Sequence, residues 1–140
     1  MKKMITRVAF TAVVLAGFCA TVVAQDVSGK CSTSKLSGAY GFKIDGSNGP
    51  ARFAAVGVQN FDGHGNFSTV NTISIDGTVI QGISFTGTYT VNADCTGSMT
   101  ANFGPGASSV MNFVVVDGGK QLYSITADPG AVVTGAFIRM

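Results

Sequence analysis

Phe85-Thr86-Gly87-Thr88-Tyr89-Thr90-Val91 runs through Asn92-Ala93-Asp94 into Cys95-Thr96-Gly97-Ser98-Met99-Thr100-Ala101-Asn102-Phe103. Along this stretch two kinds of side chain alternate. Phe85, Gly87, Tyr89, Val91 and then Cys95, Gly97, Met99, Ala101, Phe103 fall on one parity, whereas Thr86, Thr88, Thr90, Thr96, Ser98 and Thr100 fall on the other. A period of two puts successive side chains on opposite faces of a strand, so one face here is buried and the other wet. Leu36, Gly38, Tyr40, Phe42 and Ile44 repeat the pattern against Ser37 and Lys43. No window carries apolar residues at helical spacing for three turns, and the chain reads as all-β.

Working outward, stretches rich in Val, Ile, Phe, Tyr and Thr mark strands near 36–45, 52–61, 66–75, 78–91, 94–103, 108–117, 120–127 and 131–139, the fourth bent at Gly82 or Gly87. The breaks between them carry Asp beside Gly or Pro: Asp45-Gly46, Asp62-Gly63, Asp76-Gly77, Asp117-Gly118 and Asp128-Pro129-Gly130. Asp and Gly supply the positive φ and the local hydrogen bond of tight turns. The acids therefore punctuate the chain. Connections this short force sequential antiparallel pairing, because a parallel crossover needs a dozen residues or more. An open eight-stranded meander would expose two long edges, and closing the first strand on the last removes both. The expected architecture is an antiparallel eight-stranded up-and-down β-barrel.

The N-terminus is of another kind. Lys2, Lys3 and Arg7 precede an apolar run from Val8 to Val23, and Val22-Val23-Ala24 offers a cleavage site before Gln25, so residues 1–24 read as a secretory signal peptide and 25–140 as one barrel domain. Cys19 follows the bulky Phe18, which argues against lipidation. The run is shorter than the roughly 20 residues that a spanning helix needs. No integral membrane segment is expected beyond it. An outer-membrane barrel fits poorly too, since residues 25–140 hold only Leu36 and Leu122 as leucines and have no long loops. The expected location is secreted or periplasmic.

Removing the leader changes the charge. The whole chain of 140 residues has a formal net charge of +2, but three of its nine basic residues lie in the leader, leaving six against seven acidic ones. A nucleic-acid partner is thereby excluded. Cleavage also removes Cys19, leaving Cys31 and Cys95 as a pair in an oxidising compartment, where an even pair reads as a disulfide. In a strict meander both lie at one end of the barrel, so residues 25–36 must cross and plug that end. The bridge should stabilise the fold by roughly 4 kcal/mol in the chain-entropy model.

A mouth would then lie at the opposite end, framed by 46–51, 75–78, 103–108 and 128–131, with Gly46-Ser47-Asn48-Gly49-Pro50 and Phe103-Gly104-Pro105-Gly106 as the longest lips. Chemistry finds little support. Asp62-Gly63-His64-Gly65-Asn66 lacks the downstream bidentate acid of a calcium loop, and two Cys with one His do not make a zinc set, so no metal is expected. The sole histidine sits in a turn, no Gly-x-Ser-x-Gly elbow is present, and no strand interior carries a carboxylate. Neither catalytic residues nor a cofactor are implied.

What remains is the interior. Tyr40, Phe42, Phe85, Tyr89, Met99 and Phe103 project inward if the apolar faces do, and Gly38, Gly87, Gly97 and Ala101 either open room for a ligand or receive aromatic rings. Those six are the expected ligand-binding residues, with the two tyrosine hydroxyls orienting the guest. The second strand (Phe53, Val56, Val58, Phe61) and the sixth (Val110, Met111, Phe113, Val114, Val115, Val116) are apolar on both faces, which points instead to a wall covered by a protein partner or a second copy.

Leu36-Ser37-Gly38-Ala39-Tyr40-Gly41-Phe42, the Phe85–Thr90 strand and the meander resemble secreted calycin-type barrels and the barrel domain of allene oxide cyclase-like proteins; Phe85–Thr90 also resembles the Thr-Gly-Thr-Tyr strand of avidins. The resemblance implies a barrel with an apolar pocket. It does not carry over chemistry, because avidin-like sites use tryptophan and cyclase-like pockets a buried Glu, and this chain has neither residue. The expected function is thus an exported barrel binding a small apolar or amphipathic ligand, the alternative being a self-associating or partner-binding module.

Overall fold

The computed structural model describes residues 30–140; the proposed leader, 1–24, and residues 25–29 of the proposed plug lie outside it. Eight strands follow in chain order: β1 (Ser37–Asn48), β2 (Ala51–Asp62), β3 (Asn66–Ile75), β4 (Thr78–Val91), β5 (Thr96–Gly104), β6 (Ala107–Val116), β7 (Gln121–Thr126) and β8 (Ala131–Arg139). Each pairs antiparallel with the next. β1 also pairs with β8, from Tyr40 opposite Arg139 to Asn48 opposite Ala131, and the sheet is a closed barrel.

The turn chemistry acts as expected at two hairpins. Asp76 (φ 49°) and Gly77 (φ 86°) both take positive φ, as a two-residue turn matching the strand twist requires. At the β2–β3 turn the Asp62 carboxylate accepts hydrogen bonds from the His64 and Asn66 amides (2.7 and 2.9 Å) and from the Asn66 side chain (2.8 Å). These donors hold its pKa down at about 2.

Asp45-Gly46, by contrast, is no turn. β1 continues to Asn48 and reverses at Gly49-Pro50, because β8 passes so close that a Cβ on Gly46 would lie 1.9 Å from the Val132 carbonyl oxygen. The glycine serves strand approach. β5 likewise runs to Gly104, so both expected lips are hairpins with only two residues outside the strands. β4 bends at Gly82 (φ 69°), where the register with β3 shifts between Asn71 and Ile73.

Gly87 and Gly97 do not open space. A Cβ on Gly87 would lie 2.3 Å from the Phe67 ring and one on Gly97 2.3 Å from the Phe113 ring, and in each case the ring belongs to the directly paired residue of the neighbouring strand. Each glycine is the seat of a cross-strand aromatic.

The end carrying the β2–β3 and β4–β5 turns is shut. Cys31 and Cys95 form a disulfide (Cα–Cα 5.0 Å), and Cys95 lies in the β4–β5 turn just before β5 rather than on the strand. From there residues 31–36 cross to β1, with a short 3-10 turn at Thr33–Lys35 and with Leu36 fully buried. On the far side Arg139 donates from Nη2 to the carbonyls of Lys35 (3.3 Å) and Ser37 (2.8 Å) and lies over the Tyr40 ring. Beneath this segment Tyr40, Phe61 and Tyr89 meet edge to face, with centroids 5.1 and 5.0 Å apart. Such pairs add about 0.5–1.5 kcal/mol each beyond their buried area.

The doubly apolar strands divide as parity dictates. Phe53 and Phe61 of β2 and Met111, Phe113 and Val115 of β6 join the core, while Val56 is 60% exposed and Val114 38% exposed on the outer wall.

Candidate ligand-binding cavity

Away from the plug the interior holds a cavity of about 380 Å³. That size falls at the lower end of small-molecule pockets. Its wall is built from inward positions of all eight strands: Phe42 and Ile44 of β1, Phe53 and Gln59 of β2, Phe67, Phe85, Met99, Ala101, Phe103, Met111, Thr126, Val133 and Phe137. Phe42 stacks on Phe137 at 5.2 Å on one side, and Phe85 meets Phe103 edge-on at 4.8 Å on the other. Phe103, 53% exposed, stands at the mouth.

Among the polar side chains of the lining, Gln59 and Asp128 stand out. Gln59, 3% exposed, reaches the floor from the middle of β2; its Oε1 accepts the Thr69 hydroxyl at 3.0 Å and its Nε2 donates to the Met99 sulfur at 3.6 Å. At the rim, in the β7–β8 connection, the Asp128 carboxylate accepts the Ser109 hydroxyl (2.5 Å) and the Val110 amide (3.0 Å). These two hydrogen bonds hold its pKa below the ordinary carboxylate value.

Of the six residues expected to meet a ligand, Phe42, Phe85, Met99 and Phe103 lie on this lining. Tyr40 and Tyr89 do not: they sit lower, at the closed end, where the Tyr40 hydroxyl donates to the Gly119 carbonyl and the Tyr89 hydroxyl to Leu36 O (2.7 Å) and Thr33 O (3.3 Å). Burial pushes the Tyr89 phenol above its ordinary pKa, further favouring the protonated form. Sequence reading passed over Gln59 and Asp128. Parity marks Gln59, alone among Phe53, Ala55, Gly57 and Phe61 as a polar inward position of β2; Asp128 looked like another turn acid. His64 lies in the β2–β3 turn at the closed end, its Nδ1 2.9 Å from the Asp62 carbonyl oxygen. Among the described residues no cluster of three metal-ligating side chains occurs, and no helix is long and apolar enough to cross a membrane.

No known protein family and no curated protein matches this chain. Among solved structures it is similar to a redesigned β-barrel, mFAP1, bound to DFHBI, with a TM-score of 0.51 and 20% sequence identity over 76% of this chain and 97% of that one. The likeness is one of fold. It supports a small β-barrel, without singling out a calycin-type or an allene oxide cyclase-like family.

Proposed function

We propose that this is an exported barrel that binds one small apolar or amphipathic molecule between its aromatic walls, with Phe42, Phe85, Met99 and Phe103 as contacts. The observation that carries the reading is the contrast in filling: the plugged end is packed with rings, whereas the same barrel keeps a cavity of about 380 Å³ at its other end. A barrel of similar fold, mFAP1, is bound to the small molecule DFHBI, which agrees with this use of the architecture. The disulfide fits export, since such bonds persist in oxidising compartments. Native mass spectrometry of protein purified from its own source tests the reading. One small molecule retained per chain is expected, and a ligand-free chain that binds no added apolar probe would refute it.

A second reading rests on the outer wall, where Val56, Val70, Tyr123, Ile125, Val132 and Ile138 are each at least half exposed. Large exposed apolar area marks association surfaces. The same mass spectrum distinguishes the two, because self-association appears as a subunit multiple with or without ligand.

A further inference from the structure

Resting on the binding reading above, we propose that the cavity selects a planar aromatic molecule with a hydrogen-bond acceptor at its buried end and a cationic group at its mouth end, and that it discriminates against anions.

Three observations carry this. The first is the wall: Phe42, Phe67, Phe85 and Phe137 present ring faces and edges around one space, with Met99 and Met111 between them. Such a surface favours a flat π-system, through stacked and edge-on contacts and sulfur–ring contacts. The second is the floor. The Gln59 amide group has two N–H donors, and its protein partner is a single thioether, a weak acceptor, although the side chain is almost wholly buried. Thr69 fixes the carbonyl end of the amide, so the N–H end is held toward Met99 and the cavity. A carbonyl, ether or hydroxyl oxygen on the guest would satisfy the remaining donor, and leaving a buried donor unmet is costly.

The third is the rim. Asp128 is the one charged side chain on the lining, and no Lys, Arg or His joins it. Its carboxylate is anchored by Ser109 and Val110, whose hydrogen bonds favour the ionised form. An anionic guest would meet this charge with no counter-ion in the wall, while a cationic one gains a charge-assisted hydrogen bond at the edge of a low-dielectric space. Aromatic rings beside the same mouth, Phe103 and Phe85, add cation–π attraction.

A matched series of probes tests the proposal: a methoxynaphthalene carrying, across the rings from the methoxy oxygen, an aminomethyl, a hydroxymethyl or a carboxylate group, with binding followed by calorimetry on the disulfide-bonded protein. The amine should bind at least about tenfold tighter than the carboxylate, with the alcohol between them. Asp128→Asn keeps the shape of the rim, with one oxygen to accept the Val110 amide and an NH2 to donate to the Ser109 hydroxyl oxygen, and should shrink the amine-to-carboxylate preference to less than about threefold, leaving the alcohol unchanged. Removing the methoxy group should weaken binding to the wild type and not to Gln59→Leu. Equal binding of amine and carboxylate to the wild type would overturn the charge selection while leaving the cavity as a ligand site; failure of all three probes to bind would overturn both.

Discussion

The two ends of the barrel use the same inward-facing pattern for opposite purposes. Toward the plug, Tyr40, Phe61 and Tyr89 meet edge to face and both tyrosine hydroxyls are spent on backbone carbonyls. Toward the mouth, phenylalanines line the wall in pairs and the cavity remains between them. The Tyr89 hydroxyl thus ties down the segment that closes the barrel and the Tyr40 hydroxyl the β6–β7 connection at the same end, while plain rings shape the space that is left. On the proposed binding reading, substitutions at the plugged end should act on stability and those at the cavity end on affinity.

Breaking the disulfide gives the largest expected effect. Replacing Cys31 and Cys95 by Ser frees a 64-residue loop, and the denaturation midpoint should fall by the equivalent of roughly 4 kcal/mol, with probe affinity in the folded fraction unchanged. Equal losses of stability and affinity would show that the plug and the cavity are not separate. Tyr89→Phe comes next. It withdraws the donor from the Leu36 carbonyl, costing about 1–3 kcal/mol, again without loss of affinity. A changed affinity at constant stability would put Tyr89 in the ligand site instead.

Ala101→Phe addresses the other end. A ring added at this cavity-lining position of β5 should weaken probe binding by at least about tenfold, close to 1.4 kcal/mol. The midpoint should move less than in Tyr89→Phe, because the ring enters existing space.

The smallest effect is at the Asp62 turn. Its carboxyl is held at about 2, below an ordinary value of 3.8, so its contribution to stability is complete above about pH 4 and is lost as pH falls toward 2. Asp62→Asn should flatten that acid limb in a urea titration series and, like His64→Ala, leave binding unchanged, since both residues lie at the closed end.

The sequence made the strands readable because alternation and Asp-Gly turns are local signals. It misled at Asp45-Gly46, where the glycine answers to the Val132 carbonyl of β8, a neighbour 86 positions away in the chain. Gly87 and Gly97 were legible only as an alternative, open space or the seat of a ring, and the register decides it by placing Phe67 and Phe113 directly beside them. For the cavity, parity tells which face a residue is on and says nothing of its height along the barrel axis. Tyr40 and Phe42 share a face of β1, yet one belongs to the plug and the other to the lining. Height follows from register and closure, which only the assembled sheet defines.

Three methionines lie beyond residue 24, and they divide between the regions being compared. Met99 and Met111 line the cavity, whereas Met140 is 79% exposed beside β1 at the closed end. Methyl NMR of protein carrying 13C-methyl methionine, titrated with a methoxynaphthalene probe, therefore reports on the location of binding directly. The account predicts saturable shifts of the Met99 and Met111 signals with Met140 unmoved, and loss of those shifts in Ala101→Phe; shifts confined to Met140, or no saturable shift at all, would contradict it.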